Sequence, residues 1–288
     1  MEKCALCRNE ARLVNSHTVP KFAVEWLKKS SATPYLRSAL NPNRRLQDVN
    51  TVKLLCSDCE NRFSKWEKQF AQKLFTPYTE GSLQSFAYDE WLLYFAVSLA
   101  WRTTIYEAVE YRRTRPALAP FVDEAIEHWS MFLQGKSTEA GPYEHHIVFL
   151  SLLAGSQPAA ELPVNLEAYL LRAVDTTLAS NTKKVFACTK LPGIAFCSAI
   201  HPSQLEGEYL HTLIERKGHL ETRQRVGPDI GSFLVNRVKQ YEKLAPEISE
   251  RQLKLIAESG AKNPARVFSS QDFVVFMRKI MRKSKPNT

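Results

Sequence analysis

Two Cys-x-x-Cys pairs constrain this chain more than any other feature of its sequence. They are Cys4 with Cys7 and Cys56 with Cys59, with 48 residues between the pairs. Four thiolates supplied as two such pairs match the tetrahedral coordination of structural zinc, in which each pair holds the ion through a tight turn. We therefore predict that the first sixty residues bind one structural Zn²⁺ through these cysteines. The alternatives are chance spacing or a redox pair.

Positive charge is concentrated at the two ends of the 288-residue chain, whose formal net charge is +9. Residues 1–75 contain fourteen Lys or Arg against seven Asp or Glu, and five further basic residues lie between Arg278 and Lys285. Basic regions of this kind suit phosphate backbones. A solvated basic face has the same composition, so charge alone leaves both interpretations open.

The chain shows no sign of export. Its N-terminus has no apolar signal core, and its most apolar run, 91–101, is about half of the ~20 residues that cross a bilayer. Paired cysteines in such a chain indicate reduced thiols that hold a metal. We expect a cytoplasmic protein with no membrane contact. Cys188 and Cys197, far from the pairs on apolar segments, are expected to be buried core residues.

Hydrophobic periodicity predicts helices in the first half of the remaining chain. One helix covers about 64–80, and a long amphipathic helix runs from about Gln84 to Arg113, with Phe86 on its apolar stripe. Another helix covers about 119–133. Three more are expected near the C-terminus, at about 229–244, 249–259 and 270–283.

Branched residues separated by turn signals predict an antiparallel sheet between the two helical regions. The candidate strands are 145–154, 168–179, 183–190, 193–200, 209–216 and 219–226. Hairpin turns are predicted at 191–193 and 217–218. Strand alternation puts one of His145 and His146 inward and the other outward, and neither is expected to bind a metal. The fold class is α+β, with a zinc module, a helical middle and a sheet with C-terminal helices.

The segments around the cysteines carry a family resemblance. Between the pairs lies NSHTVPKF, residues 15–22, and the second pair reads KLLCSDCENRFSKWE, in which an apolar strand leads into a charged helix. Residues 3–68 resemble the HNH, or ββα-metal, endonucleases, which are built on a treble-clef zinc site. The resemblance implies an HNH-like zinc module in residues 1–78. It leaves 79–288 as an α+β domain of unknown role, helical at 84–135, sheet-rich at 143–226 and helical at 228–284.

The resemblance also implies catalytic roles, position by position. His17, ten residues after Cys7, matches the general base that activates water. Glu60, directly after Cys59, matches the helix position that supplies a ligand to a catalytic Mg²⁺ or Mn²⁺. Asn50 matches the family's middle asparagine, about one residue early. One departure stands out, because Ser16 occupies the position of the family's other, acidic, metal ligand. Asp58 and Glu67 are the nearby carboxylates that would replace it.

The leading hypothesis is a metal-dependent HNH-type endonuclease that hydrolyses DNA phosphodiesters, in restriction or defence by family analogy. Its phosphate contacts would come from six basic residues: Arg8, Arg12, Lys21, Arg44, Arg45 and Arg62. The alternative is a catalytically silent zinc module that binds nucleic acid or a partner protein, which Ser16 favours. A third hypothesis is a structural zinc site beside an unrelated function in the sheet. Residues 79–288 would also offer a surface for a protein partner.

Overall fold

The computed structural model describes residues 2–47, 49, 51–153 and 162–283. Asn50 and Lys285, named above, and residue 284 of the last predicted helical region lie outside the described residues. Within these described residues the fold mixes helix and sheet, 48% helical and 23% in strands. None of the helices in the described ranges has both the length and the apolar character to cross a membrane.

The N-terminal part pairs short strands around two helices. Its elements are β1 (Glu2–Lys3), β2 (Glu10–Ala11), β3 (Leu13–His17), α1 (Lys21–Ser30), β4 (Leu36–Ser38), β5 (Asn41–Leu46), β6 (Thr51–Cys56), α2 (Ser57–Phe70), a π-helical turn (Ala71–Phe75) and α3 (Thr76–Thr79). The antiparallel pairs are β1 with β2, β3 with β6, and β4 with β5. The helix predicted at 64–80 begins earlier, directly after Cys56, where Asp58 and Glu60 in the first turn suit the helix dipole.

The middle of the chain contains β7 (Ser85–Tyr88), α4 (Trp91–Thr114) and α5 (Ala119–Leu133). The prediction for α5 is confirmed. The helix predicted from Gln84 is wrong in its first turns, because Ser85–Tyr88 form a strand that pairs with a distant segment, 218–221. The prediction that α4 is amphipathic is also wrong. Among 91–104 every residue except Tyr94 is buried, since α4 lies between α2, α5 and the main sheet.

The predicted antiparallel sheet is present, with four strands in the order β8-β11-β10-β9. Its elements and those beside it are β8 (His145–Phe149), α6 (Leu150–Leu153), α7 (Leu166–Arg172), β9 (Asp175–Ser180), β10 (Val185–Leu191), β11 (Ile194–His201) and β12 (Gly218–Glu221). The hairpin turn at 191–193 is confirmed, with Gly193 at a φ of +74°. A left-handed backbone at this position favours glycine.

Several strand predictions in this region are wrong. The segments 145–153 and 168–179 each combine a strand with a helix, α6 or α7, and residue 154 of the first predicted strand lies outside the described residues. Residues 209–216 form no regular strand and make only isolated bridges. The turn predicted at 217–218 is absent, because Gly218 begins β12 and that strand pairs with β7. Short apolar runs fit helix and strand equally well, so distant pairing decided these cases.

The C-terminal helices are confirmed, with one addition. They are α8 (Pro228–Leu244), α9 (Glu250–Lys262), α10 (Pro264–Ser269) and α11 (Gln271–Lys283). The sequence analysis did not separate α10 from its neighbours. Asn263 marks its start, since the Asn263 side chain accepts a hydrogen bond from the Arg266 amide at 3.2 Å.

Helices cover both faces of the main sheet. One hydrophobic core includes Leu55, Phe63, Trp101 and Phe196, and so runs from the cysteine region through α4 to the sheet. A second core on the other face brings Cys188 and Cys197, among others, against α8. Both cysteines are buried, as predicted, and lie opposite each other on β10 and β11.

The prediction for the histidine pair on β8 is wrong, because both side chains are buried. His145 Nδ1 lies 2.7 Å from Ser198 Oγ, and His146 Nδ1 lies 2.9 Å from Thr212 Oγ1. The segment containing Thr212 covers the side of β8 that alternation would leave exposed. Burial lowers the pKa of both imidazoles, to about 3 for His145.

Candidate metal centre and its surroundings

The four paired cysteines meet at one point of the structure. Cys4 and Cys7 lie in the turn between β1 and β2, while Cys56 ends β6 and Cys59 lies in the first turn of α2. Their four Sγ atoms all lie within 4.8 Å of one another, and Cys7 Sγ is 3.8 Å from Cys56 Sγ. Four sulfurs at about 2.3 Å from a tetrahedral zinc would be about 3.8 Å apart. The donor set and its spacing are therefore compatible with structural zinc.

Backbone groups around Cys4 support a thiolate. The Cys56 amide donates a hydrogen bond to Cys4 Sγ at 3.3 Å. In the turn itself, the Arg8 amide donates to the Cys4 carbonyl at 2.9 Å. Arg8 itself has a φ of 64°, a left-handed conformation that closes the turn. Burial alone would raise the pKa of the Cys4 thiol. The backbone amides of Cys7, Cys56 and Leu6 outweigh that effect and lower the pKa to about 7.

The two positions that the resemblance assigns to a catalytic cation lie side by side. Ser16, on β3, donates a hydrogen bond from Oγ to Glu60 Oε2 at 2.7 Å. Ser16 is fully buried, whereas Glu60 is partly exposed in the first turn of α2. His17, partly exposed, is the next residue on β3 and lies opposite Thr51 of β6. The structure thus brings a hydroxyl, not a second carboxylate, to Glu60.

A buried arginine contacts the last residue of β3. The side chain of Arg102, on α4, is 1% exposed, and its Nη1 lies 2.7 Å from Glu67 Oε1 and 3.0 Å from the His17 carbonyl oxygen. Its guanidinium also lies 5.3 Å from the Phe63 ring centroid. The sequence pattern assigns Arg102 no role in the site. The one signal was an arginine directly after the apolar run 91–101, inside a predicted helix.

The two carboxylates proposed as substitutes for the missing acidic ligand are placed differently. Glu67 forms the ion pair with Arg102, so its charge is already balanced. Asp58 is exposed in the first turn of α2. Within the described parts of the chain, the cysteine cluster is the one group of three or more Cys, His, Asp or Glu residues close enough to hold a metal.

The six basic residues predicted to contact phosphate differ in what they contact. Arg8, Arg12 and Arg44 are exposed. Lys21 Nζ lies 3.4 Å from Glu25 Oε1, also at the surface. The remaining two contact the protein in other ways: the Arg45 guanidinium lies 4.3 Å from the Tyr35 ring centroid, and Arg62 donates to the Leu133 carbonyl at 3.0 Å.

Comparison of the chain with protein-family models, curated proteins and solved structures finds no match. A functional proposal for this chain therefore depends on the chemistry of its own residues. The relevant features are the tetrathiolate cluster, the Ser16–Glu60 contact beside His17, and the basic residues of the same region.

Proposed function

We propose that residues 3–68 form a treble-clef, ββα-type zinc module and that the protein is a metal-dependent HNH-type endonuclease acting on DNA. Zinc in the four thiolates would fix the junction of β6 and α2 to the turn between β1 and β2. The observation that carries the proposal is the 2.7 Å contact between Ser16 Oγ and Glu60 Oε2. It juxtaposes, next to His17, the two positions that hold the catalytic cation in the family resembled.

The residues have defined tasks in this proposal. His17 takes a proton from the water whose oxygen attacks phosphorus; the bond from phosphorus to the leaving oxygen breaks, and solvent protonates that oxygen. Glu60 would hold the cation with an anionic oxygen, while Ser16 orients that carboxylate through Oε2. Bound Mg²⁺ or Mn²⁺ would supply charge neutralisation at the phosphate and the leaving oxygen. Arg102 holds the backbone of His17 in place through its carbonyl oxygen.

The residues present fit a hydrated cation. Magnesium prefers oxygen ligands and commonly keeps several waters while binding one or two carboxylates. Glu60 provides one carboxylate, and the Ser16 hydroxyl is a neutral oxygen beside it. With only one carboxylate, we expect modest affinity and tolerance of Mn²⁺. The exposed basic residues of the region, which include Arg8, Arg12 and Arg44, would contact DNA phosphates. The affinity for DNA would then fall as the salt concentration rises.

The same contact favours a second candidate, a catalytically silent zinc module that binds nucleic acid or a partner protein. The Ser16 hydroxyl already satisfies one oxygen of Glu60, so the carboxylate needs no cation to remain in its place. A role in restriction or defence follows from the resemblance, whereas a protein partner for residues 79–288 is a separate prediction; both remain part of the proposal.

The deciding experiment combines cleavage with cation binding. Purified wild type is incubated with supercoiled plasmid and Mg²⁺ or Mn²⁺, beside His17→Ala and Glu60→Gln. His219→Ala and Glu127→Gln, at exposed positions elsewhere, are the matched controls. Nicking that only the site variants abolish, with zinc content unchanged, would support the nuclease.

Direct Mn²⁺ titration, followed by electron paramagnetic resonance, makes the result independent of any activator. The nuclease requires Mn²⁺ binding that Glu60→Gln weakens and Glu127→Gln leaves unchanged. Absence of both cutting and Glu60-dependent Mn²⁺ binding would select the silent module. DNA or partner binding would then be measured with the same variants.

A further inference from the structure

A large cleft lies beside the candidate site. Its volume is about 980 Å³. Its walls come from the β4–β5 hairpin, the short segment around Thr18, and helices α4, α7 and α8. Pockets that enclose small organic ligands commonly occupy about 300–1,000 Å³. The cleft is thus large enough for a ligand of the size of a nucleotide.

Most charged groups in the cleft walls balance one another. Arg172 Nε lies 2.8 Å from Asp272 Oδ1, and Arg237 Nε lies 2.8 Å from Asp175 Oδ2. Asp175 also accepts hydrogen bonds from the hydroxyls of Tyr169 and Tyr241, at 2.9 and 3.0 Å. These two pairs are neutral, whereas Glu107 and Glu242, which also line the cleft, add negative charge to its walls. A long polyanion such as DNA gains little from walls of this kind, whereas a small ligand with one localised charge fits them.

Unbalanced positive charge is found on the β4–β5 hairpin. Arg37 lines the cleft, and Arg45 lies directly across from it in the strand register. Like charges in directly opposite positions disfavour strand pairing. Within the described part of the chain neither guanidinium has an ion-pair partner, and the buried Nε of Arg37 has no hydrogen-bond partner. With its amide oriented to suit both neighbours, Gln252 accepts from Arg37 Nη2 at 2.7 Å.

Burial adds to the effect of the neighbouring charge. It lowers the pKa of Arg37, and the Arg45 guanidinium lowers it further. Both effects show that the surroundings of Arg37 disfavour its positive charge unless an anion is added. A phosphate group would remove the repulsion and use guanidinium donors in the geometry that arginine offers.

Aromatic side chains surround the same region. Tyr35 lines the cleft, with the Arg45 guanidinium 4.3 Å from its ring centroid. Tyr106 lines another part of the cleft and is 39% exposed. Aromatic faces stack with nucleobases irrespective of base identity. An arginine can bind the phosphate of a ligand, and the neighbouring tyrosines can stack on its base.

We propose that this cleft is a binding site for a nucleotide, whose phosphate lies against Arg37 and offsets the nearby charge of Arg45, and whose base stacks on the tyrosines of the cleft. The site goes beyond the proposed nuclease and does not depend on it. Thr18 and Val19, which directly follow His17, also line the cleft. A bound nucleotide would therefore contact the segment that carries His17.

The test is a binding measurement on the full zinc-loaded chain. AMP, ATP, GTP and the dinucleotide pApA are titrated by calorimetry, beside adenosine, pyrophosphate and a short single-stranded DNA. The variants are Arg37→Gln and Arg45→Gln. Arg223→Gln, exposed and outside the cleft lining, is the matched control. We expect one nucleotide to bind, Arg37→Gln to weaken it about tenfold or more, and Arg223→Gln to leave it unchanged.

Other outcomes would overturn the proposal. These are no binding by any nucleotide, equal loss in Arg223→Gln, or pyrophosphate binding as tightly as ATP, which would indicate a site for phosphate alone. Tighter binding of the single-stranded DNA, lost in Arg37→Gln, would assign the cleft to nucleic acid instead. If Arg37→Gln lowers the unfolding temperature, Arg45→Gln and photolabelling by 8-azido-ATP replace it. The label must then map to peptides of the cleft, and a label elsewhere contradicts the proposal.

Discussion

Ser16 donates its hydroxyl hydrogen to Glu60 at 2.7 Å, so a neutral side chain, not a second carboxylate, lies beside Glu60. Replacing Ser16 by Asp places a second carboxylate there. Two adjacent carboxylates repel each other unless a cation lies between them. We therefore expect Ser16→Asp to destabilise the metal-free site and to tighten Mn²⁺ binding by about tenfold, as for one charged contact.

The matched variant is Ser16→Ala, which removes the hydrogen bond without adding charge. Its loss of stability should be about 1 kcal/mol, and Mn²⁺ affinity should fall or stay the same. Affinities come from Mn²⁺ titration, and stabilities from urea unfolding in the absence of added divalent metal. Equal Mn²⁺ affinity in Ser16→Asp and Ser16→Ala would show that this position does not face a cation.

Arg102 links α4 to the strand that carries His17. Its guanidinium reaches both Glu67 and the His17 carbonyl, and methionine at 102 would leave both without that partner. Breaking a buried ion pair from one side costs about 3–5 kcal/mol. We expect Arg102→Met to lower the urea-unfolding free energy by that amount.

An exposed ion pair of the same chemistry provides the control. Arg112 and Asp123 are about half exposed, and such pairs contribute about 0–1 kcal/mol. Arg112→Met should therefore change stability little. Adding Glu67→Leu to Arg102→Met should recover part of the loss, because the uncompensated carboxylate is removed. If Arg102→Met and Arg112→Met lower the unfolding free energy by the same amount, Arg102 does not hold β3 through a buried ion pair.

How far the sequence could predict the candidate site depended on the range of each interaction. The cysteines were predictable because metal geometry imposes local spacing that any fold must respect. The proximity of Ser16 and Glu60 was expected from the resemblance, but the hydrogen bond between them was not. The contact from Arg102 to His17 joins residues 85 positions apart. Nothing in the local pattern of α4 indicates which carbonyl its arginine reaches.

For the fold, too, elements set by local interactions were predicted and elements set by long-range interactions were not. Helix α5 and the hairpin at 191–193 carry complete local signals and were predicted correctly. Strand β7 was predicted as helix because Phe86 fits both periods, and only its partner β12 decides between them. Likewise, the burial of His146 comes from a covering segment 66 residues later in the chain. Tertiary partners of this kind leave no trace in a short sequence window.

Lys190 should give the protein a pH-dependent stability. Its ammonium group is fully buried and donates to the Ala173 carbonyl at 2.6 Å. Burial lowers its pKa from 10.5 to about 7, which the nearby Asp175 only partly opposes. Between these pH values the unfolded chain binds more protons than the folded one, so stability from this group rises with pH. Below about pH 7 both states are protonated and the contribution is constant.

The measurement compares unfolding free energies at pH 7.5 and pH 9. A single fully titrating group changes stability by at most about 1.4 kcal/mol per pH unit. We expect Lys190→Met to remove a positive slope approaching that size. Lys183→Met, at an exposed position, should retain it. Identical slopes in the two variants would show that Lys190 titrates alike in the folded and unfolded states.

The cysteine cluster predicts one zinc ion per chain and a stability that depends on it. Structural zinc contributes on the order of 10 kcal/mol in small modules, since the unfolded chain has no preformed site. Cys56→Ser should therefore lose zinc, measured by elemental analysis, and should lower the thermal unfolding midpoint. Cys188→Ser, also at a buried cysteine but on β10, should cost some stability while keeping the full zinc content. Zinc retained by Cys56→Ser, or lost equally from both variants, would contradict a tetrathiolate site at the base of α2.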